Sequence, residues 1–176
     1  MRRPGAPVLA VVALVLAACE VATVETPPDP AAIPSGTIRP AGDDATGPIV
    51  QLGSGTTGEV GWRYSIYPSG DAWCVQLETA SATSATCGDP VPEEGSAFGL
   101  VSEGGGEVVD GIVNDETHTV WLVEERGGRV PATLMPLDDA GLEGNAFVGF
   151  VPEEMTLTHL QAVARSGEVL ETYELP

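Results

Sequence analysis

The chain has 176 residues, of which seven are basic and 26 acidic, so its formal net charge is −19. A field of this sign disfavours nucleic acid and bare anionic lipid surfaces as partners, and it attracts cations or basic proteins. The length leaves room for one domain with a hydrophobic core after an N-terminal signal and a linker.

The first 18 residues have the features of an export signal. Arg2 and Arg3 supply a positive start, and residues 8–18 are uncharged and mostly aliphatic. As a helix those eleven residues would cover about 16 Å, roughly half of a bilayer core, so they are too short for a permanent membrane span. The sequence therefore predicts a signal peptide over residues 1–18.

The sequence Leu-Ala-Ala-Cys at residues 16–19 resembles the lipobox of bacterial lipoproteins. The absence of lysine, with abundant Ala, Gly, Val and Pro, is typical of a high-GC genome and suggests lipoproteins of the high-GC Gram-positive type. In that family the signal is cut before the cysteine and acyl chains are attached there. The resemblance implies that Cys19 is lipidated and anchors the protein to the extracytoplasmic face of the cell membrane. An ordinary secretory signal, with Cys19 incidental, is the alternative.

Residues 19–48 form a segment rich in proline and acidic residues. Such a composition buries too little apolar surface to offset the entropy of ordering. We therefore expect a disordered tether with a reach of about 90 Å at about 3.1 Å per residue, which holds the domain away from the bilayer. The prolines of this segment are Pro27, Pro28, Pro30, Pro34, Pro40 and Pro48.

Residues 49–176 have a dominant period of two and predict an all-β domain, an immunoglobulin-like or similar antiparallel β-sandwich. Residues 59–67 and 72–79 alternate apolar with polar or small side chains around a turn at 68–71. A short helix around 138–144 is also considered. Further strands are expected at 97–102, 107–113, 117–124, 130–135, 146–151, 158–164 and 169–175.

An internal repeat relates residues 111–133 to residues 149–172 if one inserted residue is allowed. Each copy reads as a strand end, an acidic turn, a long strand, a tight R-x-G turn and a return strand. We expect Gly128 and Gly167 to supply the positive φ of the two turns, and the hairpins to face each other across the sandwich. Chance similarity among strands is the alternative.

Cys74 and Cys87 remain as a pair once Cys19 is assigned to lipid. An even pair in an exported protein predicts a disulfide. Closing this loop stabilises the fold by about 3 kcal/mol in the chain-entropy model. A metal or redox pair is disfavoured because the C-x-x-C spacing is absent.

Motifs for catalysis or cofactor binding are weak. Residues 53–58 spell G-x-G-x-x-G, but a strand-like segment follows instead of the helix that a dinucleotide site requires, so a loop between strands is expected. His118 and His159 belong to no H-E-x-x-H motif, and no serine lies in G-x-S-x-G. We therefore assign no catalytic, cofactor-binding or metal residue, expect no cofactor, and predict that the protein is not an enzyme.

The acidic turn at residues 110–116 offers oxygen ligands for calcium through Asp110, Asn114, Asp115 and Glu116. It lacks the D-x-D-x-D-G loop, and a solvated acidic turn is the favoured alternative.

Five aromatic residues raise the question of a sugar-stacking platform. Aromatic residues at alternating strand positions favour a place in the core instead. The five are Trp62, Tyr64, Trp73, Phe98 and Trp121.

Together these features predict a non-enzymatic binding or interaction module of the cell envelope, whose partner is an unidentified envelope protein or glycan and not nucleic acid. A small-ligand carrier is the alternative and would need a deep apolar cavity. A hydrolase of envelope material is a weaker alternative, because it needs a cleft with titratable groups of perturbed pKa. A purely structural envelope component would have neither pocket nor patch.

Overall fold

The computed structural model describes Asp29 and residues 31–41, 45–104 and 108–175. Within these residues twelve strands form three antiparallel four-stranded sheets. The prediction of an all-β antiparallel fold with a disulfide is confirmed, although the layers number three and not two. None of the residues described forms a helix long and apolar enough to cross a bilayer.

In the part of the chain that the structure describes, the strands are interrupted by a single 3₁₀ turn, Asp138–Ala140, where a short helix around 138–144 was considered. Their bounds are β1 Val50–Thr57, β2 Val60–Ser69, β3 Ala72–Thr79, β4 Thr83–Gly88, β5 Phe98–Gly104, β6 Val108–Val113, β7 Thr117–Glu124, β8 Arg129–Pro131, β9 Thr133–Pro136, β10 Asn145–Phe150, β11 Leu157–Ala164 and β12 Val169–Glu174.

The first sheet has the order β1-β2-β3-β4 and packs on the middle sheet, which has the order β5-β6-β10-β9. Alternate residues of β2 and β3 point inward, as their period of two predicts. We call the resulting layer the first core. It consists of Trp62, Tyr64, Ile66, Val75, Leu77, Ile112, Met135, Leu137, Ala146 and Val148.

The middle sheet is buried on both faces. In β10, Val148 belongs to the first core while its neighbour Phe147 belongs to a second core on the opposite face. Strands covered on both faces read as nearly continuous apolar runs, which explains why β6 and β10 alternate poorly. The second core consists of Ala97, Phe98, Val109, Val113, Val120, Leu122, Phe147, Leu160 and Ala162.

The third sheet has the order β12-β11-β7-β8 and closes the second core with its inner face. The sequence prediction of one strand over residues 130–135 is wrong, because the chain leaves this sheet at Ala132. The preceding β8 pairs with β7 in the third sheet, whereas the following β9 pairs with β10 in the middle sheet. The amide of Ala132 donates to the carbonyl of Val120 at 2.8 Å where the chain crosses between the layers.

The repeated hairpins lie side by side and do not face each other across a sandwich. Strand β7 pairs with β11 in the third sheet, and β6 pairs with β10 in the middle sheet. Val120 and Leu122 are buried at the positions that Leu160 and Ala162 occupy in the second copy. The alignment of the two repeats was therefore wrong by one residue in β7 and β11. A shift of one residue assigns inward-facing side chains to the outer face of the sheet and the reverse.

The turn glycines of the hairpins correct that alignment in the same way. The residues with positive φ are Gly127 (84°) and Gly167 (88°), so the expectation holds for Gly167 and is wrong for Gly128. In each turn the glycine amide donates to a carbonyl at 2.9 Å, that of Glu124 in one hairpin and of Ala164 in the other.

Residues 31–41, which we call the strap, lie along the outer face of the first sheet. The expectation of a disordered tether is wrong for this part of residues 19–48, because Gly36, Arg39 and Ala41 make hydrogen bonds to side chains of β2 and β3. The amide of Thr46 continues the contact by donating to the carbonyl of Pro68 at 2.9 Å. The composition of residues 19–48 showed that they bury little apolar surface. It did not show that polar side chains of the first sheet form hydrogen bonds with the strap's backbone.

Candidate functional site

The two cysteines of the domain are joined. Cys74 in β3 and Cys87 in β4 stand directly opposite each other, with Cα atoms 4.0 Å apart, and form the predicted disulfide. Cys74 is buried, whereas Cys87 is exposed on an edge strand. The bond therefore fastens β4, a strand of hydroxyl and small residues that the sequence patterns missed. Cys19, the predicted lipidation site, lies outside the described residues.

At residues 110–116, where a solvated acidic turn was favoured over a calcium site, the structure separates Asp110 from the turn. Asp110 points into the layer between the first and middle sheets, where its carboxylate accepts from Tyr64 Oη at 2.7 Å. Asn114 Oδ1 accepts from the amide and the hydroxyl of Thr117, at 3.1 and 2.8 Å. Asp115 and Glu116 are both exposed, and among the described residues no three His, Cys, Asp or Glu side chains gather in a metal-binding group.

The surroundings of Asp110 change the acidity of its carboxyl strongly. Burial raises its pKa to about 6, while hydrogen bonds from Tyr64 and Ser102 act in the opposite direction. Burial, and then the neighbouring Asp110, also raise the pKa of the Tyr64 phenol. Because Asp110 is only 4 % exposed, the pair is sealed between the sheets and serves the packing of the layers.

The two histidines are separated along the β7–β11 pair. His159 lies opposite Val123, whereas His118 is at the other end of this ladder, beside the pairing of Val163 with Thr119. His159 Nδ1 lies 2.9 Å from the hydroxyl of its neighbour Thr158. The structure thus places the histidines too far apart to act as a catalytic pair.

The G-x-G-x-x-G segment is part of a strand and a hairpin turn, so the expectation of a loop is wrong for most of it. Gly53 and Gly55 lie within β1, and β2 follows without a helix. A Cβ on Gly55 would lie 2.9 Å from Trp62 Cζ2, and one on Gly53 would lie 2.6 Å from Met135 Sδ. These glycines make room for core side chains and not for a phosphate.

A polar surface pocket of about 350 Å³ opens where β5 begins and β6 ends. Below it the Glu171 carboxylate holds the start of β5: its Oε2 accepts from Ser96 Oγ at 2.8 Å and from the amide of Phe98 at 3.1 Å. Leu170 is the only large aliphatic residue in the pocket wall. The pocket therefore lacks the apolar lining that a carrier of hydrophobic ligands requires.

Most of the aromatic residues pack inside, as predicted. Trp62 and Tyr64 belong to the first core and Phe98 to the second, and Trp73 packs against the first. Trp121 is the exception, since it belongs to neither core.

Trp121 lies on the outer face of the third sheet. The guanidinium of Arg129 sits over its ring, 4.5 Å from the ring centroid. Gln161 pairs with Trp121 across the sheet and is likewise half-buried. We call Trp121, Arg129 and Gln161 the tryptophan face. It presents a flat aromatic ring and an ordered cation together, the residue types that dominate many binding interfaces.

The outer face of the first sheet holds a buried polar group, which we call the clasp: Arg63, Gln76 and Glu78. Arg63 Nε donates to Glu78 Oε2 at 2.6 Å, and Gln76 Nε2 donates to Glu78 Oε1 at 3.0 Å. The alternation of apolar and polar residues in β2 and β3 predicts that these three side chains are exposed to solvent. The strap covers the face, so these polar residues are buried.

The chain matches no protein-family model, and no curated protein or solved structure is detectably similar to it. The candidate surfaces therefore rest on their own geometry and chemistry.

Proposed function

We propose that this protein is a lipoprotein anchored through Cys19 at the extracytoplasmic face of the cell membrane, and that its β domain is a non-enzymatic binding module of the cell envelope. The observation that carries the proposal is the distribution of the three cysteines. Cys74 and Cys87 are consumed by a disulfide, a bond typical of exported proteins, and this leaves Cys19 alone in its lipobox-like setting.

The interior of the domain supports recognition at its surface over carriage of a small ligand. Both layers between the sheets are filled by large, fully buried side chains such as Tyr64, Phe147 and Leu160. The described pocket at the start of β5 is polar. A carrier would instead need an apolar space inside the fold.

The arrangement of titratable groups favours binding over hydrolysis. The carboxyl with the perturbed pKa, Asp110, is sealed between two sheets, and its partner is the phenol of Tyr64. A hydrolase needs such a group in an open cleft beside a second acid, base or nucleophile.

The tryptophan face is the recognition surface that fits this role best. Stacking by Arg129 holds the Trp121 ring in place, so little side-chain entropy is lost when a partner covers it. An aromatic ring flanked by hydrogen-bonding side chains suits an envelope glycan or protein.

Binding of the Cys19→Ser chain to isolated cell-envelope material tests this role. Trp121→Ala and Arg129→Ala should each weaken retention by roughly tenfold, because truncating a central interface residue costs at least about 1.4 kcal/mol. Arg126→Ala is the matched control: this arginine lies in the adjacent turn, is exposed, and should bind as the parent does.

Equal retention of all four chains would show that the tryptophan face does not bind. Failure of the parent Cys19→Ser chain to bind envelope material would contradict the binding role and favour a purely structural component.

A further inference from the structure

We infer that the clasp and strap fix the orientation of the domain on the membrane, with the end of the first sheet that carries the β1–β2 and β3–β4 turns facing the bilayer. This inference rests on the proposed lipid anchor at Cys19. On this inference the domain does not rotate freely on a long tether. It lies near the bilayer in one preferred orientation.

The strap follows β2 from one end of the first sheet to the other. It begins where Ala32 packs on Gly61, a position at which a Cβ would lie 2.7 Å from the amide nitrogen of Ile33. It continues past Arg63, whose Nη1 donates to the carbonyl of Gly36 at 2.8 Å. The chain then reaches Pro68 through the amide of Thr46, so it runs in the same direction as β2.

The clasp recognises the backbone of the strap. Gln76 Nε2 donates to the carbonyl of Arg39 at 2.8 Å, and Gln76 Oε1 accepts from the amide of Ala41 at 2.7 Å. Gln76 has no exposed surface, and Arg63 is 6 % exposed. Releasing the strap would uncover or unpair these polar groups, so the strap belongs to the folded domain and not to the tether.

The strap limits how far the domain can lie from a lipid on Cys19. The contact with the sheet begins where Ala32 packs on Gly61; the local turn before it is closed by the amides of Ala31 and Ala32, which donate to Asp29 at 3.0 and 2.9 Å. Thirteen residue steps separate Cys19 from Ala32, an upper reach of about 40 Å at about 3.1 Å per residue. The end of the sheet where the strap begins is therefore held nearest to the bilayer.

Two exposed aliphatic residues lie at this same end. Ile33 is 45 % exposed and Val60 is 36 % exposed; Ile33 follows Ala32, which packs on Gly61, and Val60 directly precedes Gly61 in β2. Four large aliphatic residues are exposed within the described part of the chain, and these are two of them. Aliphatic side chains at the lipid-facing end gain from contact with the interfacial region.

The orientation is measured on the full-length lipidated chain, purified from membranes and incorporated into phosphatidylcholine vesicles. A fluorophore replaces Ser81, in the β3–β4 turn, in one sample and Asp71, in the β2–β3 turn, in another; both positions are exposed. Energy transfer to acceptor lipids should place position 81 nearer to the bilayer by about 23 Å, the length of the intervening strand β3, Ala72–Thr79, at about 3.3 Å per residue. Equal distances, or a shorter distance for position 71, would overturn the inference.

Two variants of Ala41 test whether the strap causes the orientation. Ala41→Pro removes the amide that donates to Gln76, whereas Ala41→Gly keeps it and serves as the matched control. Ala41→Pro should accelerate hydrogen exchange of the strap about tenfold and reduce the distance difference, and Ala41→Gly should do neither. Unchanged exchange and orientation in Ala41→Pro would contradict a role for the strap.

The two proposals fail in different ways. If Cys19 carries no lipid, the chain does not incorporate into vesicles at all, and the proposed anchor is wrong. If the chain incorporates but shows no preferred end, the anchor stands and the inferred orientation is wrong.

Discussion

Tyr64 Oη donates a hydrogen bond to Asp110 Oδ2 at 2.7 Å and so connects the first sheet with the middle sheet. The phenol is fully buried and the aspartate is 4 % exposed. Burial raises the pKa of Asp110 to about 6 from its ordinary 3.8. At neutral pH the domain therefore holds a carboxylate whose charge opposes folding.

Asp110→Asn should stabilise the domain at neutral pH. Between about pH 4 and 6 the folded protein binds a proton that the unfolded chain has lost, so the contribution of Asp110 to the free energy of unfolding falls as pH rises. The total fall is about 3 kcal/mol, at about 1.4 kcal/mol per pKa unit. Asparagine keeps an acceptor for Tyr64 without the charge.

Urea denaturation of wild type and Asp110→Asn at several pH values measures this difference. We expect the variant to be more stable by up to about 3 kcal/mol at pH 7.5 and the two to converge near pH 4. Asp115→Asn, at an exposed turn position, should show no such convergence. A variant less stable than wild type at pH 7.5 would contradict the assignment.

Gly55→Ala should destabilise the domain by about 1–3 kcal/mol, because the added methyl overpacks the first core. Its Cβ would lie 2.9 Å from Cζ2 and 3.2 Å from Cε2 of Trp62. Thermal unfolding measures the loss, and the fluorescence of Trp62 should change in the folded state. The neighbouring Ser54→Ala is the control, since Ser54 is exposed; an equal effect of both substitutions would show that the indole does not press on Gly55.

The ion pair of Arg63 and Glu78 should show strong coupling in a double-mutant cycle. Arg63→Met alone leaves the Glu78 carboxylate nearly buried without its cation, and we expect a loss of about 3–5 kcal/mol. Replacing both residues, as Arg63→Met with Glu78→Leu, removes both charges and should cost less than the single change. Strictly additive losses, measured by chemical denaturation, would contradict a direct interaction.

The strands were predictable wherever apolar side chains alternate with polar ones. Trp62 and Tyr64 alternate with Arg63, and the strand at residues 117–124 begins and ends where expected. The period of two reports which side chains are apolar, so it predicted the inner surfaces of the first and third sheets. The pair Cys74 and Cys87 was predictable from its even number and exported setting.

The remaining features depend on contacts between segments distant in sequence. Alternation cannot show that a third layer covers β6 and β10, nor that residues 130–135 divide between two sheets. The strap was not predicted because Gln76 binds its backbone amide and carbonyl groups. Every residue has such groups, so the amino-acid sequence of the strap does not reveal the contact. Asp110 was grouped with the acidic turn at residues 110–116, because the sequence does not show that this residue of β6 points between two sheets.

Mass spectrometry of the mature protein from fractionated cells tests the proposed anchor most directly. We predict that the chain is recovered from the membrane fraction with Cys19 as its acylated first residue and with Cys74 linked to Cys87. A chain recovered from the cytosol that retains residues 1–18 and carries free thiols at all three cysteines would contradict the account.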